Sequence, residues 1–232
     1  GVQTCALPIS RRLADAAEVA KSKVLPFRFL TAYKALEADT YKVALSIAAD
    51  LSVQNMPRLA GRTIILVDCS GSMQNPVGTG KSRQPLTLSE LAGFMAEAVA
   101  GNCEEAVVYT YNYSITSGTA VKTHVNLLRR AADPKYRPNG GTHTWDCVSE
   151  ALRLSKGADR VIVFTDEQSG DADRGEPTTV ITWNLAGYQP HHAAHGKRNR
   201  LHVAGYSDAV LQTLPSVIAL GSTGRWPWES AS

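Results

Sequence analysis

Acidic and hydroxyl side chains follow one of the most apolar stretches of the sequence. The segment "IILVDCSGSM" runs from Ile64 to Met73 and places Asp68, Ser70 and Ser72 directly after four apolar residues. A buried strand that ends in this way presents a carboxylate and two alcohols at the carboxyl end of a sheet, which is where open α/β sheets bind ligands. The pattern therefore predicts a binding or catalytic site at the end of this strand.

Two further strand-to-helix turns carry oxygen donors of the same kind. Thr142 follows the glycine pair in "NGGTHTW", and Asp166 ends the apolar run in "VIVFTD". With the aspartate and serines of the first turn they make an all-oxygen set, which suits Mg²⁺ or Mn²⁺ better than zinc or copper. Gly71 lets the chain turn sharply between the serines. We therefore expect a divalent metal centre where these turns meet.

Short apolar strands alternate with amphipathic helices from residue 59 onward. This rhythm predicts a doubly wound, mostly parallel α/β sheet of the Rossmann-like kind. The segment 117–127 is less clear and could form an antiparallel edge strand. The predicted strands are 63–68, 105–112, 159–166, 178–185 and 200–206, and the predicted helices are 87–101, 142–155 and 208–220.

A short α-helical segment is predicted before the sheet. Pro26 lies at a first helical turn, and Asp39 or Thr40 is a suitable N-cap. Such short helices bury little apolar surface alone, so they need cover from the sheet region or from upstream partners. The opening "GVQTCALPI" fits no periodicity and resembles translated sequencing-adaptor sequence, so we leave about the first ten residues out of the fold prediction.

Composition narrows the class of protein. The 232 residues are 44% hydrophobic and 19% charged, which is ordinary for a globular chain with one substantial domain and a smaller piece. A net charge of +3 permits an acidic partner such as RNA without requiring one. No apolar run approaches the roughly 18 residues of a membrane span, so we expect no membrane partner. The four cysteines form no CxxC pair, which favours a reducing, cytoplasmic setting.

The order of the site residues resembles a known metal site. The pattern DxSxS, then a threonine after paired glycines, then TD at a later strand end is similar to the metal-ion-dependent adhesion site of von Willebrand factor A domains. By this resemblance residues 59–232 form the A domain. Ser70, Ser72 and Thr142 then coordinate the metal directly, and Asp68 and Asp166 act wholly or partly through water.

A narrower resemblance covers nearly the whole chain. The segments "KSKVLPFRFLTAYKA", "NMPRLAGRTIILVDCSGSM", "GGTHTWD" and "TWNLAGY" together resemble the TROVE family, that of the Ro autoantigen and its bacterial relatives. The resemblance implies a ring of helical repeats that holds RNA and is closed by an A domain. Residues 1–58 are then the C-terminal remnant of that ring.

The expected function is a non-enzymatic, metal-dependent binding module of an RNA-binding ribonucleoprotein. A metal held mainly by neutral hydroxyls keeps much of its positive charge, so it can accept an acidic group from a protein or nucleic-acid ligand. The resemblance adds a small non-coding RNA, bound through the full-length protein. Two alternatives stay open: a metal-assisted phosphoryl hydrolase with Asp68 as nucleophile, and an extracellular adhesion domain.

Six residues near the predicted metal centre are candidates for its rim or for contact with RNA. His143 follows a predicted ligand directly, and Lys81 and Arg83 lie in a nearby loop, so these three are rim candidates. The segment "HHAAHGKRNRLH" offers Lys197, Arg198 and Arg200 for RNA contact. A plain exposed loop and a histidine zinc site are the alternatives there.

Three other patterns are weaker. "VGTGKS" is not a phosphate loop, because the first glycine of that motif would fall on Asn75. Cys69 and Cys147 adjoin the site but have no suitably placed base, which argues against a catalytic thiol. Trp145 and Trp183 are expected in the core rather than on a stacking surface.

Overall fold

One six-stranded sheet organises the molecule. The computed structural model describes residues 9–36, 39–77, 85–121, 126–187 and 197–229. The strand order is β3-β2-β1-β4-β5-β6, and all neighbours are parallel except β2 and β3. The predicted fold class is therefore confirmed. An antiparallel edge strand is present as well, over 115–121 rather than 117–127. The strands are β1 Leu59–Asp68, β2 Cys103–Tyr111, β3 Ile115–Val121, β4 Arg160–Thr165, β5 Thr179–Asn184 and β6 Arg200–Ala204.

The helices of the described residues precede, connect and follow these strands. Three short 3₁₀ turns, Val53–Asn55, Gly71–Gln74 and Pro134–Tyr136, lie between them. The α-helices are α1 Ala16–Ser22, α2 Pro26–Ala35, α3 Asp39–Ser52, α4 Leu88–Gly101, α5 Leu127–Ala131, α6 Thr144–Leu154 and α7 Asp208–Thr223. None of the helices in the described ranges is both long and apolar enough to cross a membrane.

Side chains of β1 alternate between two cores, as a doubly wound sheet requires. Ile64 and Leu66 pack on one face, in the same cluster as Trp145 of α6. Ile65 and Val67 pack on the other face, in the cluster that contains α4. All four strand residues are fully buried. The apolar run that ends in Asp68 is therefore the central strand of the fold.

The helical segment before β1 shares the second of these cores. The side chain of Asp15 accepts the backbone N–H groups of Ala17 and Glu18 and so caps α1. Buried residues of the segment, such as Leu30 and Leu45, belong to the same apolar cluster as α4 and one face of the sheet. The segment thus packs against the sheet region, while its assignment as the remnant of a ring stays a prediction.

Arg200 lies inside the fold and does not face a partner, which corrects its prediction as an RNA contact. Its side chain is 1% exposed. The guanidinium donates to both carboxylate oxygens of Asp173, at 3.0 and 2.9 Å, and lies over the ring of Trp145. Burial of Asp173 opposes ionisation, but the hydrogen bonds from Arg200, Gly175 and Lys197 prevail and lower the pKa of Asp173 to about 2.

Replacing Asp173 with alanine should strongly destabilise the protein. The change leaves the Arg200 guanidinium buried without its carboxylate, which typically costs about 3–5 kcal/mol. Urea unfolding followed by circular dichroism measures the loss. Lys197→Ala is the matched control, because Lys197 is a more exposed partner of the same carboxylate and should cost at most about 1 kcal/mol. Equal losses in the two variants would contradict this account of Arg200.

Candidate metal centre

The predicted oxygen donors meet at the carboxyl edge of the sheet. Strands β1 and β4 are hydrogen-bonded neighbours, with Val67 paired to Phe164, so the loops that follow them leave the sheet side by side. Ser70, Ser72 and Thr142 line one open cleft at this edge. The structure therefore brings together the three hydroxyls that were predicted to coordinate a metal.

Asp68 holds the serine turn in place. One of its carboxylate oxygens accepts the backbone N–H of Ser70 at 2.8 Å. The other accepts the hydroxyl of Thr165, the last residue of β4, at 2.7 Å. The chain then enters the 3₁₀ turn with the hydroxyl oxygens of Ser70 and Ser72 3.2 Å apart. Asp68 thus fixes the position of Ser70, and Ser72 follows in the same short turn.

Backbone hydrogen bonds join the threonine loop to the serine turn. Gly71 donates its N–H to the carbonyl of Gly140 at 2.9 Å, and Asn139 donates to the carbonyl of Cys69 at 2.7 Å. These bonds cross between residues that are far apart in sequence, so they fix the distance between the two loops. Thr142 is consequently placed against the serines by backbone contacts rather than by its own side chain.

The two carboxylates are buried close to one another. Asp68 and Asp166 are both fully buried. Burial raises the pKa of Asp68 to about 6 in spite of its hydrogen bonds, and the charge of Asp166 adds to the increase. The charge of Asp166 therefore disfavours the ionised form of Asp68, and a nearby cation would relieve this effect.

The carboxylate of Asp166 shows whether these residues could hold a metal ion. Oδ1 accepts the N–H of Gln168 at 3.2 Å, whereas Oδ2 is buried and has no hydrogen-bond partner in the described part of the chain. A buried polar atom without a partner costs about 1–3 kcal/mol, and more when it is charged. A hydrated Mg²⁺ or Mn²⁺ ion would supply that partner, so these residues fit the predicted group.

The donor set is unusual in depending on hydroxyl groups. Within the described ranges, no group of three or more His, Cys, Asp and Glu side chains is arranged to hold a metal. The cleft instead combines two fully buried carboxylates with three hydroxyl residues that line it, of which Ser70 and Thr142 are themselves buried. Neutral donors leave more positive charge on a bound metal than carboxylates do.

Tyr113 is a rim residue that sequence reasoning missed. Its ring lies against Gly140 and Gly141, where a Cβ on Gly141 would come within 2.6 Å of the ring. The ring also meets His143 edge-on, with centroids 5.3 Å apart, yet the side chain stays 60% exposed. The ring packs against the backbone of the glycine pair, where a side chain would collide with it. A tyrosine directly after a predicted strand, in "YTYNY", is the signal that could have indicated it.

The remaining site candidates divide into three groups. His143 lines the cleft as predicted, whereas the predicted rim residues Lys81 and Arg83 lie outside the described residues. Lys197 and Arg198 are exposed, and Lys197 pairs with Asp173 at 3.1 Å. Of the histidines considered for zinc, 191, 192 and 195 also lie outside the described residues.

The cysteines beside the site are poor nucleophiles. Cys69, Cys103 and Cys147 are free and buried. Burial raises the pKa of both Cys69 and Cys147 to about 12. The reactive thiolate is therefore scarce at neutral pH. Trp145 and Trp183 are fully buried, which confirms their prediction as core residues.

The fold and the site define a class of protein, a doubly wound α/β sheet with an oxygen-lined cleft at its carboxyl edge. The crystal structure of the Deinococcus radiodurans RO (RSR) protein matches 94% of this chain with a TM-score of 0.70 and 18% identity. The match confirms the resemblance to the Ro proteins at the level of the fold. It covers 48% of that protein, so the chain spans about half of its length.

The remaining comparisons gave one weaker structural match and no sequence match. The SpRpn10 VWA domain matches 67% of this chain and 93% of that domain, at 13% identity and a TM-score of 0.34, which is too low to support an argument. No protein-family model matches the sequence. No curated protein matches it either.

Removing hydroxyls that line the cleft should weaken metal binding without unfolding the protein. Ser72→Ala and Thr142→Val each delete one predicted ligand but leave the buried hydrogen bonds of Asp68 intact. We expect the Mn²⁺ dissociation constant from calorimetry to rise by about ten-fold or more in each variant. Ser222→Ala, which removes an exposed hydroxyl from α7, is the control. Unchanged Mn²⁺ affinity in both cleft variants would exclude the predicted coordination.

Proposed function

We propose that this chain is a metal-dependent binding module of a Ro-like, TROVE-family RNA-binding protein. Mg²⁺ or Mn²⁺ is held directly by Ser70, Ser72 and Thr142, and Asp68 and Asp166 stand behind it, wholly or partly through water. The observation that carries the proposal is the buried, unpartnered Oδ2 of Asp166 beside a cleft lined by these hydroxyls. Such an atom is expected where an ion completes the site.

The ligand of this centre is an acidic group of a protein or nucleic acid. The cleft is open, so a metal bound at its base has room for an oxygen from outside the protein. Because the direct ligands are neutral, the metal attracts an anionic oxygen strongly. Tyr113 and His143 flank the opening and contact whatever group carries that oxygen.

The proposed RNA partner belongs to the whole protein rather than to this chain alone. The shared fold with the RO protein includes the helical segment and the sheet, but only about half of that protein's length. We propose that a small non-coding RNA binds mainly through the helical repeats of the full-length protein. The free, buried cysteines are consistent with the reducing, cytoplasmic setting that we propose for it.

The geometry favours binding over phosphoryl transfer. Both carboxylate oxygens of Asp68 accept hydrogen bonds, from Ser70 N and the Thr165 hydroxyl, and the side chain is fully buried. A nucleophilic aspartate needs an oxygen that reaches the substrate. Asp68 instead serves the structure of the site, so we propose that the centre captures its ligand without turning it over.

The absence of turnover can be tested with p-nitrophenyl phosphate and with a labelled RNA substrate at saturating Mg²⁺ or Mn²⁺. We expect rates equal to those of metal and buffer alone, because the Asp68 side chain is fully buried and both of its oxygens already accept hydrogen bonds. Sustained hydrolysis that disappears in Ser72→Ala, a variant expected to fold normally, would replace the binding module with a metal-assisted hydrolase.

RNA binding by the chain alone should be weak and strongly salt-dependent. Electrostatic affinity grows with the number of phosphates that are neutralised, and this chain carries a net charge of only +3. We expect high affinity only in a protein that restores the upstream helical repeats. Titration of a structured RNA at physiological salt compares the two proteins. Nanomolar binding by the chain alone, insensitive to Lys197→Ala and Arg198→Ala, would make the A domain itself the main RNA receptor.

A further inference from the structure

An exposed aromatic platform lies away from the metal centre. It is formed by Trp226 and Trp228, which follow the last helix, α7. Their rings stack with centroids 4.9 Å apart and an interplanar angle of 11°. Trp226 packs against the apolar core, whereas Trp228 is 70% exposed, more than any other large apolar side chain of the described residues. The indole of Trp226 is therefore held by the core, and the indole of Trp228 is exposed to solvent.

The chain that carries the platform is held by its own hydrogen bonds. The hydroxyl of Thr223 donates to the carbonyl of Arg225 at 3.0 Å. The N–H of Trp226 donates to a carboxylate oxygen of Glu229 at 2.9 Å, and the N–H of Glu229 returns a bond to the carbonyl of Trp226 at 3.0 Å. These bonds define the conformation of the segment and so the orientation of the indole pair.

Two arginines lie near the end of α7, from which the platform segment continues. Gly224 ends α7 with a φ of 72°, and a Cβ there would overlap with the guanidinium of Arg198, 2.5 Å from its Cζ. Arg198 therefore lies over the backbone next to Arg225. Neither arginine forms an ion pair with any acid among the described residues. Arg198 and Arg225 thus add two positive charges near the end of α7, and such charges attract an anionic ligand.

The neighbouring basic residues are already engaged. Arg200 is buried on Asp173, and Lys197 pairs with the same carboxylate. The basic run "KRNR" thus divides in the folded protein, because Arg198 lies against Gly224 at the end of α7 while Lys197 and Arg200 pair with Asp173. The free positive charge comes from one residue of that run and one residue after α7, which sequence spacing alone does not join.

The platform lies at the edge of the sheet opposite the metal centre. Arg198 precedes β6, and β6 runs parallel to β5, so Arg198 is at the amino-terminal edge of the sheet. The metal cleft follows the carboxyl ends of β1 and β4. A ligand on the platform is therefore independent of a ligand on the metal.

We propose that Trp228, Arg198 and Arg225 form a contact site for single-stranded nucleic acid. A base stacks on the exposed face of Trp228, and the adjoining phosphates pair with the two guanidinium groups. This combination of a planar aromatic face and arginines is how proteins bind single strands without sequence preference. A flexible acidic peptide would use the arginines but has no planar group to match the indole.

The native tryptophans report on this site. Of the four tryptophans, Trp145 and Trp183 are fully buried, so only the platform pair is open to contact by a strand. We expect a single-stranded oligouridine to quench tryptophan fluorescence in EDTA, that is, without a metal. Trp228→Ala should abolish most of the quenching. It should also weaken binding of a fluorescein-labelled oligouridine by about ten-fold, the usual effect of removing one stacking partner.

The salt dependence of oligouridine binding tests whether the two arginines contact phosphates. Arg198→Ala and Arg225→Ala should each reduce the slope of log affinity against log salt by about 0.7, the value for one phosphate contact on a single strand. Val43→Ala, which removes an equally exposed apolar side chain from α3, is the control and should change neither affinity nor slope. Circular dichroism confirms that each variant is folded.

Three outcomes would overturn the proposal. The first is no binding of oligouridine at low salt, and the second is binding that Trp228→Ala leaves unchanged. The third is equal affinity for a polyglutamate peptide of the same charge, which would assign the surface to acidic proteins. All measurements are made in EDTA, so failure here leaves the proposed metal centre untouched, and failure of the Mn²⁺ titrations leaves this site untouched.

Discussion

The buried carboxylate of Asp68 is the interaction on which the rest of the site depends. It ends the central strand and binds the backbone of its own turn through Ser70 N and the neighbouring strand through the Thr165 hydroxyl. Ser70 and Ser72 of this turn line the cleft. The arrangement keeps a charged group out of water, and this raises its pKa to about 6. A cation in the cleft would compensate for that desolvation.

The loop that brings Thr142 to the serines depends on a second buried acid. Glu97 of α4 has a fully buried side chain that pairs with Arg130 at 2.5 Å and Lys135 at 3.0 Å, and it accepts the Tyr136 hydroxyl at 2.7 Å. These partners stand just before the segment that binds Cys69 and Gly71 through its backbone. Removal of one member of a buried charge cluster leaves the others unpaired. The cluster therefore fixes the start of the threonine loop as Asp68 fixes the serine turn.

Short sequence patterns predicted most of the strands and helices. The roles of Arg200 and Tyr113 were not predicted, because they depend on contacts between segments that are distant in sequence. Apolar runs followed by polar turns located five strands. Strands of a parallel sheet are buried on both faces, so each appears in the sequence as a nearly continuous apolar run. Arg200 was misassigned since its partner, Asp173, is 27 residues away and nothing in "KRNR" distinguishes a buried arginine from an exposed one. Tyr113 was missed because its role depends on the glycine pair of another loop. The metal itself stays a prediction.

The helical segment and the oxygen-lined cleft are parts of one packed structure. This packing constrains how a ligand at one could affect the other. The carboxylate of Asp50 in α3 accepts the N–H groups of Asn126 and Leu127 at 2.8 and 2.7 Å, and so holds the start of α5. Arg130, at the other end of α5, reaches Glu97. The threonine loop begins from that cluster. A displacement of α3 would therefore be opposed by buried charges next to the loop that carries Thr142, so the cleft and the helices are expected to move as one unit rather than independently.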